Sequence, residues 1–289
     1  MKAENLVRLA RITRPVMRYR TPVLHRALRL ALKALCPPRK NGGAQLVVPF
    51  DGGLVNVDLS SSIEYDLLFR GCHEPEIANL IKHTVRPGDI CLDIGANVGA
   101  HALTMAKFAG PAGRVIAVEP HPYMCARLRQ NVALNHLTNV TVVEAALFDK
   151  NGPINLYGFD EAEFHRGGSS LVPGDGARVP IQVRAIRGST LRVECRIDSC
   201  SLLKIDVEGA EGIVLSELAD LISSHRPVII CEYKRQHWEK FGQQIGSIVE
   251  RLKAWDYELY YVEKNVTQPL RGAPPDACEL FCVPNTSGR

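Results

Sequence analysis

Two short stretches carry residue types that could do chemistry together. The first is Asp93-Ile94-Gly95-Ala96-Asn97-Val98-Gly99, which closes the apolar run Asp89-Ile90-Cys91-Leu92 and opens a helix-like segment at Ala100. Strand, tight glycine turn and helix in that order build a nucleotide-binding crevice at the carboxyl edge of a parallel sheet. A dinucleotide fingerprint centred on Gly95 needs glycine at positions 93 and 98, which hold Asp93 and Val98. A carboxylate there would repel a pyrophosphate. It suits the sulfonium and ammonium of S-adenosylmethionine, whose single carboxylate can use free amides at the helix start. Twenty-four positions after Gly95, the run Gly113-Arg114-Val115-Ile116-Ala117-Val118 ends in Glu119. A strand-end acid about 20 residues past the glycine turn can accept hydrogen bonds from both ribose hydroxyls.

The second stretch is Leu202-Leu203-Lys204-Ile205-Asp206-Val207-Glu208-Gly209-Ala210-Glu211. Its apolar residues predict a buried strand with charged groups crowding the carboxyl end, where ligands bind in open α/β sheets. Alternation sends Lys204, Asp206 and Glu208 the same way while the strand lasts.

The elements that must position these groups follow from periodicity and turn residues. Strands are expected at 89–94, 114–119, 140–145, 201–206, 227–232, 256–262 and 278–283, and helices at 62–70, 74–84, 98–109, 122–135, 210–222 and 243–254. Such alternation argues a mainly parallel sheet covered on both faces. The span 146–200 is too long for a plain crossover; an extra strand is expected at Val179 to Ile186. Upstream, Ala44 to Phe50 and Leu54 to Asp58 flank the turn Asp51-Gly52-Gly53 as a hairpin. Residues 1–60 are read as an extension and 61–289 as the main domain.

Composition sets outer bounds. The 289 residues have a formal charge of +4, yet residues 1–40 hold eleven Lys and Arg against one acid, Glu4. The excess positive charge therefore belongs to the amino-terminal segment. Thr21 can cap a helix with Pro22 in its first turn, ending before Pro37-Pro38. This basic amphipathic helix can dock on the chain's own acidic domain, the preferred reading, or lie on an anionic membrane surface. No apolar run reaches the ~18 residues of a membrane span. Nine cysteines without a C-x-x-C pair point to a reduced, cytoplasmic protein without structural zinc. The run Lys234 to Trp238 is read as a solvated loop, and no nucleic-acid partner is expected.

The two chemical motifs together resemble the FkbM family of S-adenosylmethionine-dependent methyltransferases. The resemblance spans roughly residues 70–262, including Gly71-Cys72-His73-Glu74, Gly168-Ser169-Ser170-Leu171 and Arg226-Pro227 with Glu232. It implies a class I, Rossmann-like α/β fold: seven strands, mainly parallel, with the last antiparallel. By matching position, Asp93, Gly95, Ala96, Asn97 and Gly99 would hold the methionine part of S-adenosyl-L-methionine. Glu119 would bind the ribose, Glu144 and Ala145 would border the adenine, and His101 and Thr104 would face the cofactor.

Kinship further implies O-methylation of a hydroxyl on a small molecule, natural product or glycan. An aliphatic alcohol is a poor nucleophile until its proton has a destination. Asp206 is the first candidate for base or hydroxyl-orienting group, tuned by Lys204, with Glu232 able to share the role. A divalent metal on Asp206 is the less favoured alternative. Glu74, Ser169 and Ser170 are expected to line the acceptor pocket, while His73 and His237 read as surface histidines. A nitrogen acceptor is disfavoured, because such enzymes commonly place Asn or Asp, two prolines and an aromatic after the fourth strand. A module that binds cofactor or partner without catalysis is the remaining alternative.

Overall fold

The computed structural model describes residues 3–18, 31, 45–58, 61–158, 168–173, 180–263 and 266–285. The chain begins with helix α1 (Ala3–Arg18), the hairpin β1 (Gln45–Phe50) and β2 (Gly53–Asp58), and helices α2 (Ser62–Arg70) and α3 (Pro75–Thr84). Alternation follows: β3 (Ile90–Ile94), α4 (Ala100–Ala109), β4 (Arg114–Glu119), α5 (Pro122–Leu134) and β5 (Val140–Glu144). Next come β6 (Ala146–Leu147), β7 (Gly152–Tyr157), β8 (Pro180–Ile186), α6 (Gly188–Glu194), β9 (Leu202–Ile205), α7 (Glu211–Glu217) and α8 (Ala219–His225). The last part holds β10 (Val228–Lys234), α9 (Arg235–Lys240), α10 (Ile245–Ala254), β11 (Tyr257–Glu263), β12 (Val266–Pro269) and β13 (Ala277–Pro284).

The main sheet has the order β12-β11-β13-β10-β9-β3-β4-β5. Strands β5, β4, β3, β9 and β10 run parallel, and β13 is antiparallel to both β10 and β11. This is the seven-strand arrangement implied by the family resemblance, extended by β12 at the edge beside β11. The chain leaves β3 toward β4 and β5, then returns to place β9 on the opposite side of β3. That reversal opens a crevice at the carboxyl ends of β3 and β9, where ligands bind in open α/β sheets.

The central strands form because both faces are buried, which calls for apolar runs instead of alternation. Leu92, Ile94, Leu203 and Ile205 pack with Val214, Leu215, Ile222 and Leu252 from α7, α8 and α10. On the other face, Cys91, Val115 and Leu202 meet Ile77, Ile81, Ala102, Met105 and Leu128 from α3, α4 and α5. A strand alternates its side chains, so Asp93 falls on the α4 side, among these apolar groups.

A third apolar cluster joins α1, the hairpin and α2 to the main body through Val98, Leu103 and Met124. Arg127 of α5 adds a polar tie: its Nη2 lies 2.6 Å from Glu64 Oε2 and donates to the Asn56 carbonyl at 2.5 Å. Both side chains are buried, and burial lifts Glu64 to about 7 against the pull of the guanidinium. Removing one partner would leave the other unpaired out of water. Arg127→Ala should therefore cost about 3–5 kcal/mol in urea unfolding; a loss under about 1 kcal/mol would show that the pair does not hold the amino-terminal layer.

Some elements differ from expectation. Helix α1 was not expected, because basic residues interrupt its apolar pattern. The expected helix at 21–36 falls outside the described residues apart from Ala31, which is helical. The helix read at 210–222 is two, α7 and α8, meeting at Leu218. Between 146 and 200, the described residues form a small sheet, β6-β8-β7, where a single strand was expected. Trp238 is fully buried and packs edge-on against Tyr233, so 234–238 is an anchored start of α9 and not a solvated loop. No disulfide joins the eight described cysteines, and no described helix is long and apolar enough to cross a membrane.

Candidate active site

The glycine turn after β3 is held by its neighbours on both sides. Gly95 and Ala96 donate their amides to the Val118 carbonyl at 2.9 and 3.0 Å, and Asp206 donates its amide to the Ile94 carbonyl at 2.9 Å. Gly95 has φ +86°, and a Cβ built there would stand 1.8 Å from the Asp206 carbonyl oxygen. Only glycine lets the tips of β3 and β9 approach this closely.

Glu119 ties the turn to the tip of β4. Its Oε2 accepts the Asn97 amide at 2.9 Å and its Oε1 accepts the His121 amide at 2.9 Å. Asn97 reaches that position with φ 52°, a left-handed conformation that asparagine tolerates. Burial pushes the Glu119 carboxyl up to about 7, opposed by these two amide donors. Each oxygen retains a lone pair for a further donor.

Asp206 stands across the crevice, its Oδ2 3.2 Å from Lys204 Nζ. The same ammonium lies 3.9 Å from Asp93 Oδ1. Burial alone would lower the Lys204 pKa, but Asp206, Asp93 and Glu74 outweigh it and hold the ammonium protonated. Burial, reinforced by the Asp206 charge, pushes Glu232 up to about 10. Lys234 opposes that rise, its Nζ 2.9 Å from Glu232 Oε1. Glu211 closes the loop after β9, its Oε1 accepting the Val207 and Gly209 amides.

These groups surround one cavity of about 310 Å³, at the small end of the range for small-molecule sites. Gly95, Ala96, Asn97, Glu119 and Ala145 line it on one side, and Lys204, Asp206 and Glu232 on another. Glu74, His101 and Ser169 also line it.

Several expected residues are not brought to the cavity wall. Asp93 is fully buried behind it, 3.9 Å from Lys204 Nζ, and burial raises its pKa. Gly99 serves packing: a Cβ there would meet Leu128 of α5 at 2.3 Å. The Glu144 carboxylate, on the same sheet face as its register partner Glu119, sits on the edge strand and turns out to Arg129 at 2.7 Å. Thr104 is buried within α4, where its hydroxyl donates to the Ala100 carbonyl. Ser170 pairs its backbone with Tyr157, and its hydroxyl accepts the Val172 amide.

The reverse correction applies to His73. It lines the cavity, its ring centroid 5.6 Å from that of His101, and burial lowers its pKa. His237 starts no free loop either; its Nδ1 lies 3.0 Å from Glu208 Oε2. Lys234, Met124, Leu147 and Leu156 line the cavity without having been expected there. For Leu147 and Leu156, the signal was hidden in the irregular region after β5.

A parallel sheet into which the last strand inserts antiparallel, a glycine turn after its first central strand and acids at the next strand tips define a class I methyltransferase fold. The chain belongs to the methyltransferase FkbM domain family, whose model matches residues 93–259. It is 32% identical over 168 residues to 31-O-demethyl-FK506 methyltransferase FkbM of Streptomyces tacrolimicus, covering 48% of this chain and 64% of that protein. It is 26% identical over 157 residues to hexuronic acid methyltransferase AglP of Haloferax volcanii, covering 54% of this chain and 61% of that protein. The chain thus spans less than two thirds of either relative. Among solved structures, methyltransferase FkbM from Methylobacillus flagellatus KT aligns over 77% of this chain and 53% of its own, at 15% identity and a TM-score of 0.42.

Proposed function

We propose that this protein transfers a methyl group from S-adenosyl-L-methionine to a hydroxyl of a small molecule, natural product or glycan. The observation that carries the reading is one cavity bordered by Glu119 at the tip of β4, the Gly95 turn and the Lys204-held Asp206 beyond β9. The residues fit the cofactor. Glu119 has lone pairs left for two ribose hydroxyls, and the turn admits close backbone approach. Asp93, buried behind the wall, lies 3.9 Å from Lys204 Nζ and helps hold the ammonium that fixes Asp206. Ala145, Leu147 and Leu156 offer an apolar flank for the adenine.

When bound, the cofactor supplies a methyl group activated by positive sulfur. The chain's own residues do the rest. Asp206 orients the acceptor hydroxyl and takes its proton, while Lys204 fixes the Asp206 carboxylate. Glu232, paired with Lys234 at 2.9 Å on the same wall, can share the orienting role. Carboxylates outnumber ammonium groups along the wall, which favours an acceptor without negative charge near the reacting oxygen. The names of the two relatives, an O-demethyl-FK506 methyltransferase and a hexuronic acid methyltransferase, support a hydroxylated acceptor. Calorimetry with S-adenosylmethionine, followed by mass detection of methyl transfer to an alcohol panel, tests the reading. Failure to bind the cofactor would overturn it, and binding without transfer to any alcohol would favour a non-catalytic module.

The Glu119 assignment predicts a pH dependence. Two hydroxyl donors favour the ionised carboxyl, and burial has moved its titration to about 7. Cofactor affinity should therefore rise about tenfold between pH 6 and pH 8, as the ionised fraction rises. The ligand-free fold responds in the opposite sense. A carboxyl raised in the folded state stabilises below its unfolded value near 4.5, and that contribution is lost as pH rises through 7. Glu119→Gln should weaken binding at pH 8 and flatten the titration; an unchanged slope would remove Glu119 from the ribose site.

A further inference from the structure

We infer that His73, Glu74 and His101 form a binding site for one divalent transition-metal ion in the cavity wall where the amino ends of α3 and α4 meet. One donor atom from each residue lies within 4.8 Å of the others. His101 Nε2 is 3.0 Å from Glu74 Oε2, and His73 Nε2 is 3.7 Å from Glu74 Oε1. Two ligands, each about 2.1 Å from an ion, stand about 3.0 Å apart at a right angle and about 3.4 Å apart at a tetrahedral angle. The first pair already has that spacing; the second needs a shift of a few tenths of an ångström.

His73 gives an independent sign. Neither of its ring nitrogens makes a hydrogen bond among the described residues, and Nδ1 is buried without a partner. Nε2, the nitrogen turned toward Glu74, is thus open to coordination, and a buried imidazole with no hydrogen-bond partner costs free energy until one of its nitrogens is engaged. Two imidazoles and a carboxylate are also the donor set of zinc and iron sites that keep positions open for a ligand. Here the open side faces the cavity, to which His73 and Glu74 remain 20% and 31% exposed. The neighbouring carboxylate group of Asp206, Glu211 and Glu232 is different. It has no nitrogen donor, and Glu211 Oε1 is already occupied by two amides.

The role of the ion rests on the methyl-transfer reading. Bound at the open positions, the acceptor oxygen would release its proton more readily, and Asp206 would receive it. The oxygen–hydrogen bond breaks toward Asp206, the new oxygen–methyl bond forms, and the carbon–sulfur bond breaks toward sulfur.

Metal binding is tested without cofactor or acceptor. The full chain, stripped with a chelator, is titrated with Co²⁺ while its visible absorption is recorded, and Zn²⁺ is used as competitor. One equivalent should develop ligand-field bands and be displaced by Zn²⁺. His73→Ala and His101→Ala should each weaken binding at least about 100-fold, since even outer partners of a metal ligand are worth 10–100-fold. Asp206→Asn should leave it unchanged. Calorimetry with S-adenosylmethionine on each variant reports whether the fold and the cofactor site survive. Absence of stoichiometric Co²⁺ binding, or binding indifferent to both histidines, overturns the metal site while leaving the methyltransferase reading intact. Failure of the wild-type chain to bind S-adenosylmethionine would count against that reading alone.

Discussion

Asp206→Asn is expected to lower kcat by about 10²–10⁴-fold while changing cofactor Kd by less than about threefold. The two side chains have the same shape, so the crevice and its hydrogen-bonding capacity survive. What is lost is a destination for the acceptor proton. The substitution also removes the charge 3.2 Å from Lys204 Nζ, leaving that buried ammonium to Asp93 at 3.9 Å. KM for the acceptor should move less than kcat, because deprotonation develops in the transition state and not on binding. Turnover within about threefold of wild type would refute the assignment of Asp206 as base.

Gly95→Ala should have the largest effect on the cofactor site. The added methyl would stand 1.8 Å from the Asp206 carbonyl oxygen and 2.8 Å from its carbonyl carbon, backbone atoms that cannot swing aside. Separating the tips of β3 and β9 should cost about 2–4 kcal/mol of stability and weaken cofactor binding at least about 100-fold. Gly88 supplies the control. It has a similar φ, +92°, but a Cβ there meets nothing within 4 Å. Gly88→Ala should show only the intrinsic left-handed penalty of about 1–2 kcal/mol and normal cofactor affinity. Equal effects at the two positions would mean that close approach at Gly95 does not shape the site.

The central strands could be read from sequence because burial on both faces forces apolar runs, as in Leu202-Leu203-Lys204-Ile205. The tips were legible for the same reason: charged residues at the end of such a run mark where the sheet meets solvent. Less could be read where a contact depends on tertiary packing. His73 carries no periodicity, and only the docking of α3 against α4 brings it to His101. Glu144 shows the opposite failure. It ends a strand on the same face as its register partner Glu119, but the edge position of β5 leaves its carboxylate to Arg129. Asp93 was correctly placed at a strand end, yet its side chain lies behind the cavity and reaches Asp206 only through Lys204. The small sheet of β6, β7 and β8 was mostly missed, because short strands around a long insertion give too few residues for a pattern.

The most direct test is a crystal structure of the chain with S-adenosylmethionine bound. Both ribose hydroxyls should lie about 2.6–3.2 Å from the Glu119 carboxylate, with the transferable methyl directed toward Asp206. A cofactor seated elsewhere, or one whose methyl points away from the end of β9, would contradict the account.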